Sequence, residues 1–373
     1  MTEKAKQLYI HVPFCKRKCN YCDFCSFPTS NEQKAAYVKA LEKEISLVRY
    51  DGRISTCFIG GGTPSLLSPK ELSDVVYACR KKFDFSPEEF TVEANPESLT
   101  KDFLLAAKDA GVNRISLGVQ SFSDDNLKLM GRLHDSRQAI SAVKLAKSVF
   151  ENVSADLILG FPNTDEKQTE SSVKRLSELG VTHVSAYGLQ LEEGTKLFEM
   201  VKNGLVLPDD DRISDIYDCI SDTLEKFGYH RYEISNFAKS GFECKHNLGY
   251  WQQNEYVGVG LSAHGFEDGV RYFNTSDLKT YFRTLGENKL PTEGKTALSP
   301  SDAEFEAIML ALRTTDGLDA RAFEDKYNCN FLEKYNIPIK KTEAFTEFSG
   351  GRFRLKKEGF YVSNQILLEF MPD

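Results

Sequence analysis

Along the first half of the chain, short apolar runs alternate with longer stretches of helical period. The runs cover residues 7–12, 56–59, 90–93, 114–117, 153–159 and 182–187. Between most of them, at residues 33–48, 69–82, 101–109, 136–149 and 165–179, apolar positions recur every three to four residues. Ser68-Pro69 offers an N-cap followed by proline at the first helical position, and Thr100 caps the stretch after it. Gly111 and Gly180 read as helix stops. Strand and helix in alternation predict a parallel sheet with right-handed crossovers, and six such units suit a partial or complete barrel.

Past residue 190 the rhythm loosens. The pattern predicts a long helix over 209–227, a strand over 228–237, a polar loop over 241–250 and a glycine-spaced apolar segment over 256–266. A boundary is expected near Leu290-Pro291. Beyond it come helices over 301–312 and 319–326, a third beginning in 330–335, a hairpin around 350–355 and a last helix over 363–370. This order suggests a winged-helix-like α+β module. The expected division is 1–230 for the barrel core, 231–290 for a barrel-associated segment and 291–373 for the C-terminal module.

The unusual residues sit where the predicted strands end, which is where barrels and open α/β sheets place their chemistry. The first strand leads to Cys15, Cys19 and Cys22, and the second to Gly60-Gly61-Gly62-Thr63-Pro64. The third ends in Glu93-Ala94-Asn95-Pro96 and the fourth leads to Gly118-Val119-Gln120. The fifth carries Asp156 and the sixth ends in Ala186-Tyr187-Gly188. Six strand ends converging on one face point to a single site.

Composition narrows the classes. The chain has 373 residues, 41% hydrophobic and 27% charged, enough for a sizeable core. A net charge of −8 argues against a general nucleic-acid surface, so the C-terminal module is expected to dock or cover rather than bind DNA. No apolar run approaches the roughly 20 residues that span a bilayer, which leaves membrane contact only through a partner. Residues 1–7 hold no apolar export segment, and with free thiols this places the protein in the cytoplasm.

The spacing C-x3-C-x2-C supplies three thiolates to one compact centre and leaves one iron of a four-iron cluster open. A disulfide framework fits poorly, because nine cysteines are odd in number. Zinc held by Cys15, Cys19, Cys22 and Cys25 is the stronger rival, although structural zinc sites usually come as two separated pairs. Reduced structural cysteines are the third reading.

The triple-glycine turn exposes backbone that can approach a ligand closely. Glu93 and Asp156 suit an amine or ribose hydroxyls, Gln120 both donates and accepts, and Arg132 matches a carboxylate bidentately. His246-Asn247-Leu248-Gly249-Tyr250-Trp251 holds the only tryptophan and could form a flat apolar pocket with an axial metal ligand, although one histidine is more often a structural group. Cys244 lies close enough in sequence to join it. His264 lies in the glycine-spaced segment, where core packing competes with cofactor contact.

Taken together, these motifs resemble the radical S-adenosylmethionine (SAM) enzymes, specifically the branch containing oxygen-independent coproporphyrinogen III oxidase (HemN) and the haem chaperone HemW. The resemblance runs from Tyr9 to Glu369. It implies a radical SAM partial (β/α)6 barrel and a [4Fe–4S] cluster on Cys15, Cys19 and Cys22. It also implies SAM contacts from Tyr9, Gly61, Gly62, Thr63, Glu93, Gln120, Arg132 and Asp156, with Ala186 near the adenine and His264 among the cofactor residues. The family's chemistry is reductive cleavage of SAM, which the protein positions and keeps dry.

Two functions follow from the resemblance. One is a haem chaperone that binds haem through His246, Tyr250 and Trp251 and passes it to an acceptor protein. The other is an oxidase that decarboxylates coproporphyrinogen III in porphyrin biosynthesis. His246-Asn247-Leu248-Gly249-Tyr250-Trp251 matches the HNxxYW pattern of the chaperone branch, and Phe24 stands where the oxidase branch carries a further cysteine. Cys25 departs from both patterns, either as a bystander or as a ligand to the fourth iron when SAM is absent.

Overall fold

The computed structural model describes residues 5–162 and 164–372. Met1–Lys4, which belong to the segment read as lacking an export signal, lie outside the described residues, as does Asp373 at the end of the C-terminal module.

Six parallel strands follow one another in chain order: β1 (Lys6–Val12), β2 (Arg53–Gly61), β3 (Asp84–Ala94), β4 (Arg114–Gln120), β5 (Asn152–Leu159) and β6 (His183–Gly188). Between them run α1 (Asn31–Leu47), α2 (Pro69–Lys82), α3 (Lys101–Asp109), α4 (Asp124–Leu129), α5 (Ser136–Lys147) and α6 (Glu166–Glu178). The helix starts are set locally. Ser68 and Glu71 form a capping box ahead of Pro69, the Thr100 side chain accepts from Phe103 N–H, and Asp135 pairs with Gln138 in a second capping box. Alternate strand residues pack outward against the helices, and Ile10, Ile59, Val92, Leu117 and Ala155 are all at most 1% exposed.

The sheet is open, since β6 never returns to β1. Beyond β6 it continues antiparallel through β7 (His230–Arg231) and β8 (Asn236–Ala238), after α7 (Lys196–Lys202) and α8 (Asp210–Lys226). On the other side it continues through β9 (Tyr256–Val259), parallel to β1, and then antiparallel through β10 (His264–Glu267), β11 (Val270–Asn274) and β12 (Thr292–Ala297). The result is a twelve-stranded sheet whose middle is a partial (β/α)6 barrel.

Three differences from the sequence expectations have physical causes. The strand expected over 228–237 is a hairpin, because Ser235 N–H donates to the Glu233 carboxylate (3.2 Å) and turns the chain. The polar loop expected over 241–250 contains a helix, α9 (Lys245–Trp251). Its first N–H groups, on Lys245 and His246, donate to Glu89 at 2.9 Å each. A carboxylate on β3 thus caps this helix, and local sequence carries no sign of it. Finally, residues 292–297 form β12 and still pair with β11, so the large sheet extends past Leu290-Pro291.

A second apolar core begins with α11 (Pro300–Ala311), which follows α10 (Leu278–Gly286). It gathers Ile308, Leu312, Phe323, Phe331, Phe353 and Phe370 around a three-stranded antiparallel sheet. The two cores meet through polar and aromatic contacts. Arg271 forks onto Glu306 (2.9 and 2.5 Å), Gln253 reaches Glu306 (3.0 Å), and the Arg231 guanidinium lies over the Phe360 ring at 3.9 Å. Among the described residues no helix is long and apolar enough to cross a membrane.

Candidate functional site at the mouth of the barrel

The loop after β1 is drawn closed by two backbone bonds, Cys15 N–H to Phe27 O (3.1 Å) and Phe27 N–H to Pro13 O (2.9 Å). It is docked onto the segment after α4. Asn20 donates to Met130 O and Leu129 O, and Arg17 donates to Gly131 O and Arg132 O. Gly131 has φ +75, and a Cβ there would meet the Asn20 side chain at 2.9 Å.

Each of the three spaced cysteines has a polar neighbour. Thr63 Oγ1 donates to Cys15 Sγ (3.4 Å), Arg132 Nη1 donates to Cys19 Sγ (3.3 Å), and Ser26 Oγ lies 4.0 Å from Cys22 Sγ. Burial pushes the Cys15 and Cys22 thiols up, and the neighbouring hydroxyls act against it. The three thiols also influence one another electrostatically. Cys25 faces elsewhere and interacts with Ser262 and Lys18.

Below this loop the barrel interior is polar. Glu93 accepts from Gly61 N–H (3.0 Å), and burial, reinforced by Asp156, pushes its carboxyl up to about 7. Asp156 is also raised, chiefly by burial, and Ser116 Oγ lies 3.4 Å from both its oxygens. Gly61 (φ +107) passes so close to the His11 ring that a Cβ would collide with it. A register shift between Leu117 and Gln120 bulges β4, and Gln120 takes φ +65, which re-aims its side chain. Arg132 donates to Asn95 Oδ1 (2.6 Å) and Gly118 O (2.9 Å), while its Nε is buried with no partner. That orphan donor, on a guanidinium that also touches Cys19, fits an anionic ligand group.

Tyr9, Gly61, Gly62, Thr63, Glu93, Gln120, Arg132 and Asp156 therefore come together. Ala186 does not join them with its side chain. It is paired with Leu157 and packs in the apolar core, and its neighbours Ser185 and Tyr187 face Asp156 instead. Sequence reasoning missed two residues. Asn95 joins Thr63 to Arg132 (2.9 and 2.6 Å), and its position two residues after Glu93, on the same face, was the available signal. His11 accepts from Tyr9 OH (3.0 Å) and donates from Nε2 to Cys25 O (2.9 Å), tying the interior to the cysteine loop.

His246 lies toward the N-terminal ends of the strands and is 1% exposed. Nδ1 bonds Thr56 Oγ1 and Nε2 bonds Tyr250 OH, both at 2.8 Å. Both ring nitrogens are thus engaged by neighbouring side chains. Tyr250 packs edge-on against Tyr256, and Trp251 lies beneath Arg313 at the joint with the second core. Cys244 is buried and donates to Glu89 (3.3 Å).

Comparison with known proteins agrees with this architecture. Residues 9–176 match the radical SAM superfamily, and residues 298–362 match the HemN C-terminal domain. The chain is 36% identical to the haem chaperone HemW of Lactococcus lactis, covering 100% of this chain and 99% of that one. It is 37% identical to HemW of Bacillus subtilis, covering 99% and 100%. The HemW of Escherichia coli is 40% identical over 70% of this chain and 71% of its own. Among solved structures, coproporphyrinogen III oxidase HemN from Escherichia coli superposes with a TM-score of 0.85 at 23% identity, covering 99% of this chain and 91% of that one, a likeness of fold. With full-length identity above one third to two HemW proteins, the chain belongs to the HemW family of the radical SAM superfamily.

Proposed function

We propose that this protein is a haem chaperone that holds a [4Fe–4S] cluster on Cys15, Cys19 and Cys22, binds SAM beside it, and passes haem to an acceptor protein. The observation that carries the cofactor reading is the set of three mutually interacting thiols served by Thr63, Arg132 and Ser26. When bound, the cluster and SAM supply an electron and a cleavable sulfonium. The chain's own part is binding and orientation. The Glu93 carboxyl and Gln120 suit an amine and ribose hydroxyls, and the Arg132 Nε suits a carboxylate. Full-length likeness to HemW supports the haem-carrying role over the oxidase, whose support is one of fold.

Anaerobic reconstitution of the purified chain should give about four irons per chain, and Cys19→Ser should lose them. Ferric haem titration should saturate at one per chain. Incubation with SAM, a reductant and coproporphyrinogen III should yield no protoporphyrinogen; robust turnover would replace the chaperone reading with the oxidase one.

A further inference from the structure

Building on the haem-binding reading above, we propose that the protein's axial haem ligand is His264 and that the haem lies on an exposed shelf formed by β9–β12, not in the helix that carries His246.

The six histidines differ sharply in what their ring nitrogens already do. His11, His134, His183 and His246 are 6%, 3%, 0% and 1% exposed. Each has both nitrogens bonded: His11 to Tyr9 and Cys25, His134 to Glu97 and Val119, His183 to Ser154 and Tyr232, His246 to Thr56 and Tyr250. His230 is exposed, but its Nε2 lies 2.8 Å from the Glu243 carboxylate. His264 is exposed, and among the described residues neither of its nitrogens has a hydrogen-bond or ion-pair partner. A neutral imidazole with a free nitrogen at a surface is what an incoming haem iron requires.

The surroundings of His264 suit a flat apolar ligand. Its ring stacks on Phe273, its direct partner across the β10–β11 pair, with centroids 5.6 Å apart and planes 29° apart. Phe273 is itself 39% exposed. It faces Gly294 on β12, where any Cβ would collide with the Phe273 ring. On the other side, Gly258 of β9 lies against His264, and a Cβ there would strike the His264 carbonyl. Gly258 is in turn aligned with Tyr9 of β1. Two aligned sets, Tyr9–Gly258 and His264–Phe273–Gly294, therefore meet where Gly258 abuts the His264 carbonyl. Residues aligned across a sheet share a face. Two aromatic rings lie between two positions without side chains, Gly258 and Gly294.

The test titrates the full-length wild type, His264→Ala and His264→Gln with ferric haem and with metal-free protoporphyrin IX. Melting curves establish that each variant is folded. The proposal expects both variants to bind haem about tenfold or more weakly with a shifted Soret band. Added imidazole should restore the band, and protoporphyrin binding should change little. Wild-type haem affinity and an unchanged Soret band in both variants would overturn His264 as the ligand and leave the haem-chaperone reading standing. Equal loss of haem and protoporphyrin, with no rescue by imidazole, would also overturn it, because His264 would then be a packing residue. Absence of stoichiometric haem binding by the wild type would overturn the chaperone reading itself, and this inference with it.

Discussion

The helix that carries His246 and the strand that carries His264 contrast in how fully their polar atoms are used. In the helix, Glu89 holds the first N–H groups, Gln7 holds the His246 carbonyl (3.0 Å), and Thr56 and Tyr250 hold the imidazole. The strand instead leaves an imidazole stacked on an aromatic ring, with no hydrogen-bond partner among the described residues. A conspicuous run such as His246-Asn247-Leu248-Gly249-Tyr250-Trp251 signals that its residues matter. It does not say whether they matter to a ligand or to the fold. Partner saturation makes that distinction, and it is a tertiary property.

Acid should break the contrast most strongly. Burial, with the positive Arg114 nearby, lowers the His246 imidazole to about 3, whereas the unfolded group titrates at about 6.5. Between those values the unfolded chain takes up a proton that the folded chain refuses. His246 therefore contributes stability that is lost as pH falls from about 6.5 toward 3, amounting to about 5 kcal/mol. Urea unfolding followed across this range should show a steeper decline in the wild type than in His246→Gln. Identical pH profiles would place His246 outside the buried network.

Next in size is the direct cost of truncation. His246→Ala leaves Thr56 and Tyr250 without their buried partner and should lower stability by about 2–4 kcal/mol. His264→Ala should stay within about 0.5 kcal/mol. The single tryptophan, Trp251, sits at the C-terminal end of this helix, so its fluorescence can report both transitions. The reverse order of effects would invert the assignment of the two histidines.

The smallest effect sharpens the exposed side. Phe273→Ala removes the ring beneath His264 while touching little of the core, so stability should hold within about 0.5 kcal/mol. Haem affinity should fall by about threefold, the share expected of one aromatic stack. Optical titration reads this directly, and a loss as large as that of His264→Ala would make Phe273 the main determinant of the shelf.

Much of the barrel was legible because its causes are local. The helices after Ser68, Thr100 and Asp135 begin where cap chemistry places them, and the strand runs are apolar where both neighbours and helices cover them. The cysteine loop, Glu93 and Asp156 were legible as residues out of place at strand ends. Asn95, His11 and the bulge at Gln120 were harder to read. Their importance lies in bonds to Arg132, Cys25 and a shifted register, and no single stretch of sequence contains both ends of such a bond. The helix over 245–251 was misread as a loop for the same reason, since its cap comes from Glu89.

Taken alone, the sequence determined the alternation of strand and helix, the three-thiol spacing and the radical SAM resemblance. Each is written in residues near one another or in a motif with fixed intervals. Only the tertiary structure decided which polar groups are spent and which are free. Both His246 and His264 follow polar or glycine-rich stretches, and nothing local separates them. Closing β1 to β2 and capping the helix from β3 buries the first. Leaving the barrel open beyond β9 exposes the second, because an unclosed sheet must present one of its faces to solvent.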